Sequence, residues 1–310
     1  GRARPRPTSI DKHMGNAQNE PISHGWFTRA DIVCRPVELP RPLCELLDLL
    51  SQQDAPALLD SAAADDTCGR YSVLACRPIE VLTVRQGVLY GRDGAEIASG
   101  PDQVWAQLSR AMKPIAGCRG RPSEAKQPRE SQPDLPPYCP GWIGYVGYEI
   151  GRLVERLPGK AVTDTALPEL RLAFYDAILL SDGQSGQGWL MELAFEAPVP
   201  PGTGLAAQKL RDLLAETGTG TSAPANSVPG LRSQSPPTSN FTPDEYRAAV
   251  ARCVDYIAAG DIFQVNLSQR FELAQAPDPR SVYRLLRSSN PACYAGYIEF
   301  AQAGRRCAVL

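Results

Sequence analysis

Residues 242–271, TPDEYRAAVARCVDYIAAGDIFQVNLSQRF, change their hydrophobic period once, at Gly260, and that change sets the fold class. Thr242 and Glu245 form a T-x-x-E capping box with Pro243 at the first helical position. Tyr246, Ala249, Val250, Cys253, Val254 and Ile257 then share one helical face, and Gly260 stands where a helix ends in left-handed backbone. Beyond it the period falls to two. Phe263, Val265, Leu267 and Phe271 alternate with Gln264, Asn266, Ser268 and Arg270, which predicts a strand with one apolar and one polar face. A helix stripe followed by an alternating strand predicts an α+β fold with substantial antiparallel sheet.

The same patterns recur upstream. Leu43, Leu46, Leu47 and Leu50 have helical spacing. Ala57–Ser61 and Tyr71–Cys76 read as strands, and Ile79–Tyr90 reads as a hairpin turning near Gln86-Gly87. Val104, Trp105, Leu108 and Met112 predict a helix closed by Pro114, and Leu205–Leu214 predicts another. Leu170–Leu180 and Trp189–Phe195 read as two long strands joined by Ser181–Gly188. Asn290-Pro291 is a turn ahead of the apolar run Tyr294–Phe300. Between these lie a polar leader (1–25), a Pro-rich exposed loop (114–140) and a flexible linker (217–240). The organisation expected is leader, a first region over 26–216, the linker, and a second region over 241–310.

Composition narrows the chemistry. Lys plus Arg is 32 against 34 for Asp plus Glu, a net charge of -2, so there is no basic excess to neutralise nucleic-acid phosphates. The apolar runs fall short of the ~18 residues that cross a bilayer, and residues 1–24 lack a signal-like apolar core. Neither a nucleic acid nor a membrane is expected as partner, and the expected location is cytoplasmic. The nine cysteines make no C-x-x-C pair and read as reduced thiols. His13 and His24 are the only histidines, which leaves 25–310 without Ser-His-Asp, Cys-His or His-metal chemistry.

The face Gln264–Asn266–Ser268–Arg270 reads either as a solvated sheet face or as neutral amides lining a wet, enclosed site. The glycines of Gly141-Trp-Ile-Gly-Tyr-Val-Gly-Tyr-Glu-Ile-Gly151 match neither phosphate-loop pattern. They predict instead a strand packed closely under the rings of Trp142, Tyr145 and Tyr148.

Five blocks in order carry a resemblance: Leu58-Leu-Asp-Ser61, Gly69-Arg-Tyr-Ser72, Gly141–Glu149, Gly260–Phe271 and Asn290-Pro-Ala-Cys-Tyr294. From about Trp26 onward the chain resembles the large subunits of the chorismate-using amination enzymes, aminodeoxychorismate synthase component I and anthranilate synthase component I. The resemblance implies packed antiparallel sheets flanked by helices. It also implies chorismate as substrate, Mg²⁺ as cofactor, and a glutamine amidotransferase subunit or domain supplying ammonia. It places the catalytic glutamate and the magnesium carboxylates beyond Leu310, with no metal ligand in these 310 residues. The chain is therefore expected to be inactive alone, or to serve as a non-catalytic amino-acid-binding and docking module.

Within that family the water-using members carry a lysine base where Gln264 stands. A neutral amide there fits the ammonia users, with Gln264 positioning the nucleophile. Asn266 and the Gly147-Tyr-Glu-Ile-Gly-Arg152 run resemble the aminodeoxychorismate synthases, with anthranilate synthase as the alternative. The resemblance also implies a tryptophan pocket formed by Ser61, Cys68, Gly69, Arg70, Tyr71, Cys293, Tyr294 and Ala295, with Asp60 and Ser61 holding the ligand's ammonium. The family has proline where Cys293 stands, and anthranilate synthases often have methionine where Ala295 stands. Both departures remove walls of that pocket.

Overall fold

The computed structural model describes residues 29–63, 68–113, 136–156, 165–217 and 236–310. The leader 1–25, residues 114–135 of the Pro-rich loop and 218–235 of the linker lie outside them. The elements before residue 112 are β1 (Ala30–Val37), α1 (Leu43–Leu46), β2 (Ala57–Asp60), β3 (Tyr71–Ala75), β4 (Glu80–Arg85), β5 (Val88–Tyr90), β6 (Glu96–Ser99) and α2 (Pro101–Ala111). Then come β7 (Gly141–Val146), β8 (Leu170–Tyr175), β9 (Ala177–Asp182), β10 (Gly188–Phe195) and α3 (Leu205–Thr217). The last are β11 (Thr238–Ser239), α4 (Pro243–Ala259), β12 (Phe271–Glu272), α5 (Pro279–Ser289), β13 (Ala295–Gln302) and β14 (Arg305–Val309).

Among the described residues the strands form a seven-stranded sheet, ordered β1-β10-β9-β3-β2-β13-β14, a five-stranded sheet, ordered β6-β5-β4-β8-β7, and a two-stranded pair, β11-β12. Neighbouring strands pair antiparallel. Alternation along the strands produces four layers. Leu58, Leu74, Leu179 and Tyr297 face α1, α3 and α5 through Leu46, Leu210 and Tyr283. Val73, Ile178, Leu180 and Phe300 face the second sheet through Ala173 and Tyr175. Leu82, Leu170 and Leu172 then meet Val104 and Leu108 of α2. The segment after the linker thus adds two strands to the sheet begun before it. No helix among the described residues is long and apolar enough to cross a membrane.

Local signals account for most boundaries. The Gln86-Gly87 turn takes φ of 48° and 76°, the paired left-handed backbone of a type I′ hairpin. The capping box at Thr242 forms, and Gly260 ends α4 at φ 79°. A Cβ at Gly144 would sit 1.9 Å from the Arg171 carbonyl oxygen, so glycine lets β7 approach β8. Trp142 donates from Nε1 to the Ala111 carbonyl and Tyr145 from its hydroxyl to the Pro168 carbonyl, whereas Tyr148 is exposed rather than covering the strand.

Two strand expectations are corrected. The run Leu170–Leu180 is two strands in two sheets, with Asp176 at the crossing. Asp176 is buried; its carboxylate accepts from Gly204 N at 2.7 Å and its carbonyl from Leu193 N at 2.8 Å. The run is apolar on both sides because it is covered on both faces in each sheet, which conceals the crossing. The alternating run 263–271 forms ladder bonds only at its end, where Phe271 lies opposite Ser239. Phe263 is 91% exposed, and Val254, Ile257 and Val265 are exposed as well. Alternation makes a strand only where a neighbour supplies a ladder and cover, and no described element does so here. The expected strand Tyr294–Phe300 begins one residue later, at Ala295.

Gly144→Ala should lower unfolding stability by about 1–3 kcal/mol or more, because a backbone carbonyl cannot yield as a side chain can. Urea denaturation measures the loss; an unchanged midpoint would contradict the close approach of β7 to β8.

Candidate functional site

The C-terminal end of β2 and the first residues of β3 and β13 meet at one end of the large sheet. Ala295 lies opposite Asp60, and Ala62 and Ala63 both donate their N–H to the Ala292 carbonyl, at 3.0 and 3.1 Å. This junction gathers Ser61, Cys68, Gly69, Arg70, Tyr71, Cys293 and Ala295. The Cys68 and Cys293 sulfurs are 2.7 Å apart. Gly69 adopts φ 74°, and a Cβ there would lie 2.2 Å from the Ala63 carbonyl oxygen and 3.1 Å from Cys293 Cα. Tyr294 projects outward, 75% exposed.

The polar groups are already engaged. The Ser61 hydroxyl donates to the Tyr71 carbonyl at 2.7 Å, and the Ser72 hydroxyl donates to Asp60 at 3.2 Å. Asp60, buried, also accepts from the Tyr283 hydroxyl at 2.9 Å and from Arg287 Nε at 2.6 Å. Burial pushes the Tyr283 hydroxyl well up, and Asp60 adds to the shift. The expected role of Asp60 as a holder of a ligand ammonium is therefore corrected: a carboxylate satisfied by a guanidinium and two hydroxyls offers little to a second cation. Ser61 keeps its acceptor lone pairs.

Arg70 makes a two-pronged pair with Asp182, at 3.0 and 2.6 Å, and its guanidinium lies 4.9 Å from the Tyr71 ring centroid. The Arg70 hydrogen bonds, joined by Gln184 and Ser185, hold the Asp182 carboxyl far below the usual carboxylate range.

Gln264 is not part of this junction. It is exposed, in the stretch preceding β12 that lacks a ladder among the described residues. Also among these residues, no group of three or more His, Cys, Asp or Glu side chains could hold a metal ion. Sequence reasoning missed the part played by α5. Arg280, Arg284 and Arg287 are spaced i, i+4, i+7 and pair with Glu299 at 2.9 Å, Asp48 at 3.1 Å and Asp60 at 2.6 Å. The basic stripe was visible in the sequence; the carboxylates it meets, two of them buried, were not.

Comparison with known proteins places this sequence in a family. The chorismate binding enzyme family matches residues 76–306, and the chain belongs to it. The chain is 31% identical over 272 residues to an anthranilate synthase component 1 of Cereibacter sphaeroides, covering 85% of this chain and 52% of that protein. It is 36% identical over 177 residues to one from Thermus thermophilus, covering 56% and 36%. It is 30% identical over 270 residues to the chloroplastic anthranilate synthase alpha subunit 1 of Arabidopsis thaliana, covering 80% and 43%. The chain thus spans about half the length, or less, of these curated relatives. A solved anthranilate synthase component I from Streptococcus pneumoniae aligns with a TM-score of 0.49 at 20% identity, over 86% of this chain and 55% of that one.

The Asp182 pair predicts an acid limb. A carboxyl depressed in the folded state stabilises above its unfolded pKa, near 3.9, and that contribution is lost as pH falls below it. Asp182→Asn should therefore lower the melting temperature at pH 7 and flatten its fall between about pH 5 and 2. Parallel melting curves for the two proteins across that range would refute it.

Proposed function

We propose that the protein takes part in amination of chorismate, with ammonia supplied by a separate glutamine amidotransferase subunit or domain. The observation supporting amination is Gln264, a neutral amide at the position where the family resemblance implies a lysine base in water-using members. Ammonia is already nucleophilic at its lone pair; it needs orientation and room, not deprotonation by a base. Glutamine hydrolysis by a Cys-His pair needs a histidine, and residues 25–310 have none, which supports an external source of ammonia.

The names of the relatives support anthranilate as the product. A second reading, 4-amino-4-deoxychorismate, is favoured by Asn266 in Gln264-Val-Asn-Leu-Ser-Gln-Arg-Phe271 and by Gly147-Tyr-Glu-Ile-Gly-Arg152. In this proposal Mg²⁺ serves the whole enzyme, and no step is assigned to it here. L-Tryptophan is the ligand proposed for the β2–β3–β13 junction. Tyr294 and Ala295 would supply apolar contact and Ser61 an acceptor, with Cys68 and Cys293 beside them.

Gln264→Lys tests the amination reading in the full-length enzyme given chorismate, Mg²⁺ and ammonium. The added charge and length at the nucleophile's approach should cut amination at least tenfold, about 1.4 kcal/mol of transition-state stabilisation. Chromatography reads both the loss and, in the unmutated enzyme, which amino product forms. Unchanged amination kinetics in the variant would remove Gln264 from the reaction.

A further inference from the structure

Away from the β2–β3–β13 junction, a cavity of about 760 Å³ opens between the two sheets, in the range that holds small organic ligands. Among the described residues its wall carries Arg77, Arg85, Arg92 and Arg171 and no aspartate or glutamate. Arg77 is answered from outside the wall by Asp54, at 2.7 Å. Arg92 donates from Nη1 to the Ile79 carbonyl at 3.1 Å. Arg171 is different. It is 4% exposed, its guanidinium carbon stands 4.4 Å from the Phe300 ring centroid, and its Nη1 has no hydrogen-bond partner among the described residues. No ion pair of Arg171 or Arg85 is found among those residues either.

A buried guanidinium without a counter-ion is costly, and a buried N–H without an acceptor adds to that cost. Packing against the face of Phe300 recovers part of the cost. The guanidinium also shares a hydrogen bond with the Tyr175 side chain, which leaves the N–H groups of Nη1 to match the oxygens of a carboxylate or phosphate. The strand register explains why the charge is held there. Arg171 lies between Leu170 and Leu172, which face α2, so it must point into the space between the sheets, where Ala173 and Tyr175 also point.

We propose that this cavity binds a small organic molecule carrying two or more anionic groups, carboxylate or phosphate, with Arg171 as the buried anchor. Arg85 and Arg92 meet the second anionic group, and the ring of Phe300 and the amide of Gln302 line the remaining wall. This site is independent of the proposed amination and of the tryptophan junction, and its test does not use either.

The probes are citrate and pyrophosphate, one for each anion chemistry, titrated against the purified protein at ionic strength held constant with sodium chloride. Saturable thermal stabilisation by at least one of them, with an apparent Kd near or below ~1 mM, is expected from binding to the native state. Citrate alone would assign the site to carboxylates, and pyrophosphate alone to phosphates. Arg171→Met should weaken the effective probe at least tenfold, while Arg29→Gln, on the exposed Arg29–Glu196 pair, should leave it unchanged. Should Arg171→Met fail to fold, Arg85→Gln on the half-buried wall must show the tenfold loss in its place. Absence of saturable stabilisation by both probes, or affinity unaltered in the folded Arg variants, overturns the proposal.

Discussion

Two buried carboxylates on neighbouring strands, Asp60 at the end of β2 and Glu299 in β13, set the terms for everything packed around them. A carboxylate taken out of water survives as an ion only when opposite charge and hydrogen bonds replace the solvent. Helix α5 supplies both. Arg287 and Tyr283 reach Asp60, and Arg280 reaches Glu299 while its Nη1 donates to the Leu47 and Leu50 carbonyls at 2.9 and 2.6 Å. Burial opposes the charge on Glu299, but hydrogen bonds from Arg306, Tyr297 and Arg280 outweigh it and lower its pKa. The segment after the linker is thereby fastened to the sheet built before it, by charge on one face and by the β2–β13 ladder within the sheet.

That fastening shapes the candidate site. Because Asp60 answers α5, the junction of β2, β3 and β13 presents hydroxyls, sulfurs and an exposed tyrosine ring rather than an open carboxylate. Holding β13 beside β2 also brings Cys293 against Cys68 and carries Phe300 under Arg171. Membership of the chorismate binding enzyme family sits on this frame, over residues 76–306.

What was legible in the sequence was local. The capping box at Thr242, the Gln86-Gly87 turn and the glycine approach at Gly144 each follow from a few adjacent residues and their backbone needs. The family resemblance drew the residues around Ser61 and Cys293 together. The break at Asp176 was hidden because strands covered on both faces lose their alternation, although one acid inside eleven buried residues was a usable sign. Residues 263–271 failed in the opposite way: their alternation is sound, but a ladder is a property of two strands. The pairing of Arg280 and Arg287 with Glu299 and Asp60 joins residues 19 and 227 positions apart, and no local pattern encodes the larger separation.

A double-mutant cycle on Asp60 and Arg287 tests this dependence most directly, using Asp60→Asn, Arg287→Met and the pair, with stability read from urea unfolding. Arg287→Met strands the buried Asp60 and should cost about 3–5 kcal/mol; Asp60→Asn leaves a guanidinium that water still reaches and should cost less, and the double variant should cost less than the sum by at least ~1 kcal/mol. Additive losses, or single losses within ~0.5 kcal/mol of the unmutated protein as at an ordinary surface site, would contradict the claim that this pair holds α5 to the sheet.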